Sequence, residues 1–374
     1  MNFLRTKTSP EPSHISWINS CLRRICCAAF GVWINTLLLP AQSLDQTAPL
    51  PPGVDWSLGM QDGAHRFVER IIAEAPAKRA SSWHRDTSSP EAYEASVAPQ
   101  RNRLRTLLGV VDPRVRPVAM ERFGDDDNPA QAGSFDGGSI WQVRWTVLPG
   151  FQAEGLLLEP RGTPRGHLIL LPDAAETPES YAGLGVDSPR AKALRAWVAS
   201  GLQVLIPTLL DRGRRWSGNP DLATRHPAVP ATLDQSHREW IWRQAFHMGR
   251  HPMGYEVQEV LAGVDWIGQR FGTNSPVAVA GYGEGAAIAL YAAACDPRIS
   301  ATLVSGYFTD RQGLWSEPID RNVWSLLKEF GDAELVSLVA PRAVLIEHAS
   351  FPSVNGEKGG ISTPEPRIVR TEFE

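Results

Sequence analysis

The sequence predicts an α/β domain: a mostly parallel sheet covered by helices on both faces, entered through an antiparallel hairpin and preceded by a helical N-terminal extension. Three observations carry this expectation. From Ile140, Trp141, Val143, Trp145 and Val147 fall on one face and Gln142, Arg144 and Thr146 on the other, the period of a half-buried strand. From His167, short apolar runs alternate with segments of helical spacing, the grammar of β/α units. Finally, Val277 to Ala280 reads as a buried strand that enters a turn at Gly281, Gly283 and Gly285 and leaves as an alanine-rich helix ending at Cys295.

The chain of 374 residues holds one large domain or two ordinary ones. Its 43% hydrophobic content with 13 tryptophans suffices for a sizeable core, and 30 prolines with 32 glycines imply many ordered turns. A net charge of −4 leaves no basic footprint for nucleic acid. Arg23 and Arg24 precede an apolar run from Ile25 to Pro40, and Ala41-Gln42-Ser43 offers the small residues of a cleavage site. Residues 1–43 are therefore expected to be a cleaved export signal, with periplasmic or extracellular delivery; an uncleaved anchor is the alternative. The run carries Asn35 and falls short of the about 20 residues that span a bilayer. With Cys21, Cys26 and Cys27 inside that segment, only Cys295 remains, which excludes an internal disulfide or a cysteine zinc cage.

Residues 44–125 read as a Pro-rich linker followed by two helices, Gly63 to Ala75 and Ala92 to Val110, packed against the main domain. Residues 126–374 read as that domain. The aspartates from Gly124 to Asn128 open a polar loop running to Gly138; their spacing does not suit an EF-hand. A hairpin follows, turning at Pro149-Gly150 and returning from Gln152 to Glu159. Next come a strand to Leu171, a helix from Ser188 to Ala199 striped by Ala191, Leu194 and Val198, and a strand to Pro207. The stretch Leu209 to Ser236 is irregular and carries Asp211, Arg212, Arg214, Arg215 and Trp216. Two helices, Glu239 to His247 and Tyr255 to Phe271, precede the glycine turn. Strands Ala301 to Val304 and Ala343 to Ile346 follow it, and a last helix begins near Thr363 and Pro364.

In order and spacing these segments resemble the α/β-hydrolase superfamily, in particular its acetyl-xylan-esterase and dienelactone-hydrolase-like branch. The matching stretches are Leu170-Leu171-Pro172-Asp173, Pro207 to Gly213, Met248 to Val260, the glycine turn, and Ala340 to Ile346. The resemblance covers about two thirds of the chain and implies ester hydrolysis by a serine on a strand–turn–helix elbow, activated by a histidine that an acid orients. Here Gly283 stands at the serine position. The acid position after Ile346 offers only Glu347 or Glu357, and no histidine follows His348. The domain is thus expected to lack the last helix, strand and histidine loop. Backbone N–H groups of the elbow (Gly281, Tyr282, Gly283, Glu284, Gly285) could still form an oxyanion site, although Asp173 would repel a developing oxyanion.

The expectation is an exported hydrolase-fold protein, catalytically impaired, with no cofactor and no metal. Asp173, Asp211, Glu284 and His348 are the candidate crevice residues. One alternative is hydrolysis without serine, through those carboxylates, against which stands the expectation that Arg212, Arg214 or Arg215 simply holds them as ion pairs. Another is a non-catalytic protein holding a small-molecule or carbohydrate ester near Trp216, Trp240, Trp242 and Trp315. A third is a dinucleotide site, since Gly281, Gly283 and Ala286 have fingerprint spacing and Asp310 lies beyond the next strand. His247 and His251 have the spacing of helical metal ligands, but Pro252 makes solvent-facing or capping roles the expectation.

Overall fold

The computed structural model describes residues 53–214, 235–354 and 359–374. The expected signal segment, Arg215, Trp216 and Glu357 lie outside them. The chain divides into two compact units, Met1–His65 and Arg66–Glu374. Of the first, residues 53–65 are described, and they include the start of helix α1 (Trp56–Ser82). The sheet and its other helices belong to the second.

Among the described residues nine strands form one sheet: β1 (Met120–Arg122), β2 (Gln131–Phe135), β3 (Gly138–Leu148), β4 (Phe151–Pro160), β5 (Gly166–Leu171), β6 (Leu202–Pro207), β7 (Val277–Tyr282), β8 (Ile299–Ser305) and β9 (Ala343–Glu347). Their order is β1-β3-β4-β6-β5-β7-β8-β9, with β2 also on β3. The block β6-β5-β7-β8-β9 is parallel, and β4 joins β6 antiparallel. The helices are α2 (Pro90–Leu107), α3 (Pro178–Ala182), α4 (Pro189–Ala199), α5 (His237–Phe246), α6 (Pro252–Phe271), α7 (Glu284–Cys295), α8 (Leu326–Glu329), α9 (Asp332–Val339) and α10 (Pro366–Phe373).

Alternation along the strands feeds two cores, as a sheet buried on both faces requires. Ile169, Leu171, Leu205 and Val279 pack with Leu104 of α2, Val257 of α6, Leu290 of α7 and Leu338 of α9. Leu168, Val204 and Ile206 point the other way, onto Tyr181 of α3 and Leu194 and Val198 of α4. Helix α7 is buried along its whole length, which explains its alanines: a helix apolar all round sits between layers. Cys295 closes α7 in that core, and burial pushes its thiol up to about 12, so it is an inert core residue. Trp145 is fully buried, and its indole N–H donates to the Glu259 carbonyl at 3.1 Å, tying the hairpin to α6.

The hairpin matches expectation within two residues at each end. The polar loop expected to run to Gly138 does not hold throughout, because β2 occupies part of it. Gln131 to Phe135 carries no apolar period, and its pairing to β3 is a backbone affair that leaves no pattern in side chains. Strand β1, three residues within the stretch read as helical extension, pairs with β3 in the same way. The last helix starts at Pro366 with Glu365 at its cap, not at Thr363 and Pro364. The Thr363 hydroxyl is engaged elsewhere, accepting the Phe351 N–H at 2.8 Å.

Candidate functional site

Sheet order reverses beside β5. The chain passes from β5 through α4 to β6 on one side, then through α6 to β7 on the other. Such a switch point opens a crevice at the carboxyl ends of the strands. Leu171 and Gly281 are in register there, so the loop after β5 and the turn after β7 face each other.

Strand β7 ends at Tyr282 and α7 begins at Glu284, leaving one residue to reverse the chain. Gly283 does so at φ 59° and ψ −119°, a conformation that strains any residue with a Cβ. The helix then runs so close to β5 that a Cβ on Gly285 would collide with the carbonyl oxygens of Leu171 and Pro172. Strand passes to helix through a single residue, the backbone geometry of a nucleophile elbow, and that residue is a glycine.

A helix that starts on glycine has no side chain to cap it. Asp173 supplies the missing acceptor from the neighbouring loop: the Glu284 N–H donates to its Oδ1 at 2.9 Å. Its Oδ2 accepts from the Ala175 N–H at 2.9 Å and from Arg212 at 3.1 Å. Asp173 is 1% exposed, and its Oδ1 sits at the N-terminus of α7, where the dipole favours negative charge. The N–H it occupies is the one an oxyanion would need.

Behind Asp173 lies a buried ion-pair network. Arg212 bridges Asp173 and Glu284, the latter at 2.8 Å. Arg238, with 0% exposure, donates to Glu256 at 2.6 and 3.0 Å, to Glu284 at 3.2 Å, to Asp320 at 2.9 Å and to the Leu210 carbonyl at 2.8 Å. Arg321 approaches Glu284 at 3.7 Å and pairs with Glu317 at 2.9 Å. Burial opposes ionisation of Glu284, but Arg321, Arg238 and Arg212 outweigh it and hold the carboxyl at about 2. A carboxylate so stabilised is a weak base at neutral pH.

Because its folded pKa lies below the ordinary value of 4.5, Glu284 contributes stability that is present above pH 4.5 and lost as pH falls toward 2. Acid titration followed by circular dichroism is expected to show this loss in that window. In a Glu284→Gln chain that component of the acid transition should disappear.

The other candidates lie apart from this pair. Asp211 is exposed, its Oδ1 2.6 Å from His237 Nδ1, although its neighbour Arg212 enters the network. His348 is exposed, its Nε2 3.0 Å from the Pro364 carbonyl. Neither contacts Asp173 or Glu284 directly among the described residues. Tyr282 donates its hydroxyl to the Ser350 carbonyl at 2.9 Å, anchoring the loop after β9. That loop carries Pro352 over the elbow, where its ring would collide with a Cβ on Gly283. His251 caps α6, its Nδ1 accepting the Met253 N–H at 3.2 Å; burial and Arg238 lower it to about 3, so it stays neutral. Trp242 donates to the Asn322 carbonyl at 3.1 Å and packs on Phe246. For a dinucleotide, the helix N-terminus that would hold a pyrophosphate already carries two carboxylates.

Sequence reasoning missed Arg238, Glu256, Asp320 and Arg321. One signal was available: Glu256 falls four residues before Val260, a charge on the apolar stripe of α6, and such charges are buried only when paired.

The chain has the α/β-hydrolase fold. A structure from Bacteroides fragilis NCTC 9343, provisionally named an acetyl xylan esterase, aligns with TM-score 0.55 over 82% of this chain and 77% of that one, at 15% identity. A CE15 glucuronoyl esterase from Teredinibacter turnerae T7901 aligns at TM-score 0.45 over 79% and 74%, at 13% identity. A glucuronoyl esterase from Solibacter usitatus aligns at 0.42 over 67% and 74%, at 11% identity. No family model matches the chain, and no curated protein matches it.

Proposed function

We propose that this is a ligand-binding protein on an ester-hydrolase scaffold, in which the catalytic crevice serves as a structural ion-pair core. On this reading residues 1–43 direct export, 44–125 form the extension, and 126–374 carry the fold. What supports the loss of hydrolysis is one arrangement: the Asp173 carboxylate accepts the Glu284 N–H and fills the space above Gly283. The donor for an oxyanion is engaged, and the nucleophile position has no side chain. Asp173 and Glu284, the two carboxylates at the turn that could replace a serine, are held by arginines. Among the described residues no helix is long and apolar enough to cross a membrane.

Removal of the serine from such a machinery costs on the order of a million-fold in rate. The purified chain is therefore expected to hydrolyse p-nitrophenyl acetate and acetylated xylan at the rate of a blank. Saturable turnover that disappears in Asp173→Asn or Glu284→Gln would instead make the carboxylates catalytic and overturn the reading.

A further inference from the structure

A second cavity lies away from the elbow, between the β3–β4 hairpin, the end of β6, and helices α5 and α6. Its volume is about 620 Å³, in the range that takes a drug-sized molecule. The walls are apolar, including Leu148, Leu209, Ile241 and the rings of Phe151 and Tyr255, whose centroids are 6.0 Å apart. The charged groups among its described lining residues are all acidic: Glu154, Glu256 and Glu259.

Those three carboxylates differ in what neutralises them. Glu256 is taken up by Arg238 in a two-pronged ion pair. Glu154, near the start of β4, is exposed. Glu259 is 7% exposed, and its Oε2 has no hydrogen-bond partner among the described residues. Burial, with the Glu256 charge adding to it, pushes the Glu259 carboxyl well above the ordinary range. A buried, unpartnered acid costs stability and has an evident remedy, which is a cation that brings its own apolar body. Aromatic faces in the same wall attract such a cation further.

The geometry points to this cavity as a binding site for a small organic cation, an ammonium group on an apolar or aromatic body, with Glu259 as its counter-ion. The ammonium replaces the partner that Glu259 lacks, and the body packs on Phe151, Tyr255 and Leu209. The site shares no lining residue with the turn from Gly281 to Gly285, so it stands whether or not the elbow hydrolyses esters.

The test is calorimetric titration of the full chain with benzylammonium and with benzyl alcohol, at mildly alkaline pH. Because a charge-assisted bond is worth roughly ten- to hundredfold in affinity, benzylammonium is expected to bind tighter by that factor. In Glu259→Gln the preference should collapse while benzyl alcohol binds as before. Phe151→Ala should weaken both ligands. Equal binding of the two ligands, undiminished ammonium preference in Glu259→Gln, or no ammonium binding at millimolar concentration each overturns the proposal. Should Glu259→Gln not fold, the comparison of the two ligands on the unmodified chain decides alone.

Discussion

Replacing Arg238 by methionine is expected to destabilise the protein by about 3–5 kcal/mol, the cost of breaking a buried ion pair from one side. The reason lies in what remains. Arg238 is completely buried and donates to Glu256, Glu284 and Asp320 at once. Methionine fills much of the volume but leaves the buried carboxylates of Glu256, Glu284 and Asp320 facing one another without a counter-charge from Arg238. Urea unfolding at neutral pH would measure the loss. The same variant should recover part of it on acidification, because protonated carboxyls no longer repel. Pairing Arg238→Met with Glu284→Gln should cost less than the sum of the two, since the second change removes a charge that the first left unpaired. A loss below about 1 kcal/mol, typical of exposed pairs, would show that Arg238 does not hold the crevice together.

The contrast between what could be read in the sequence and what could not follows from this network. The hairpin was legible because Val143, Trp145 and Val147 repeat every second residue against one core. The elbow was legible because close crossing of β5 and α7 admits only small residues, and that constraint is written into consecutive positions. The placement of Asp173 near Glu284 was legible too, as both follow strand ends that a parallel sheet aligns. Their pairing with Arg212 was among the readings as well, but the capture of the Glu284 N–H by Asp173 was not. An oxyanion donor and a capped helix use the same N–H, and only the distance to Asp173 separates the two. Arg238, Asp320 and Arg321 come from a helix start and a 3-10 turn (Ile319–Arg321) without periodic pattern, so no local rule gathers them. Strand β2 was invisible for a related reason: backbone bonds hold it on one side, and its two core contacts, Ala132 and Phe135, are too few to make a period.

On the proposed reading, the network also bears on what a serine at position 283 would do. If Gly283 were a simple vacancy in an intact crevice, Gly283→Ser would be the obvious restoration. Here it is expected to fail and to destabilise. At φ 59° a side chain is strained by about 1–3 kcal/mol. An intact enzyme would offset that strain with surroundings built to hold the serine. In this chain an ideal Cβ would stand 2.5 Å from Asp173 Oδ1 and collide with the Pro352 ring. Relief requires Asp173 to leave the Glu284 N–H or the loop after β9 to lift from Tyr282, adding an overpacking cost of about 1–3 kcal/mol. The combined expectation is a chain less stable than the original by several kcal/mol on these scales, with acetyl-ester hydrolysis still at the blank rate. Gly283→Ala serves as the control, since it carries the strain and the clash without a hydroxyl, and it should lose stability to a similar degree. Urea unfolding of both variants beside a p-nitrophenyl acetate assay reads the two consequences separately. A Gly283→Ser protein as stable as the original, or one that turns over ester above the alanine control, would mean that the crevice still has room for a nucleophile and that Asp173 yields its place.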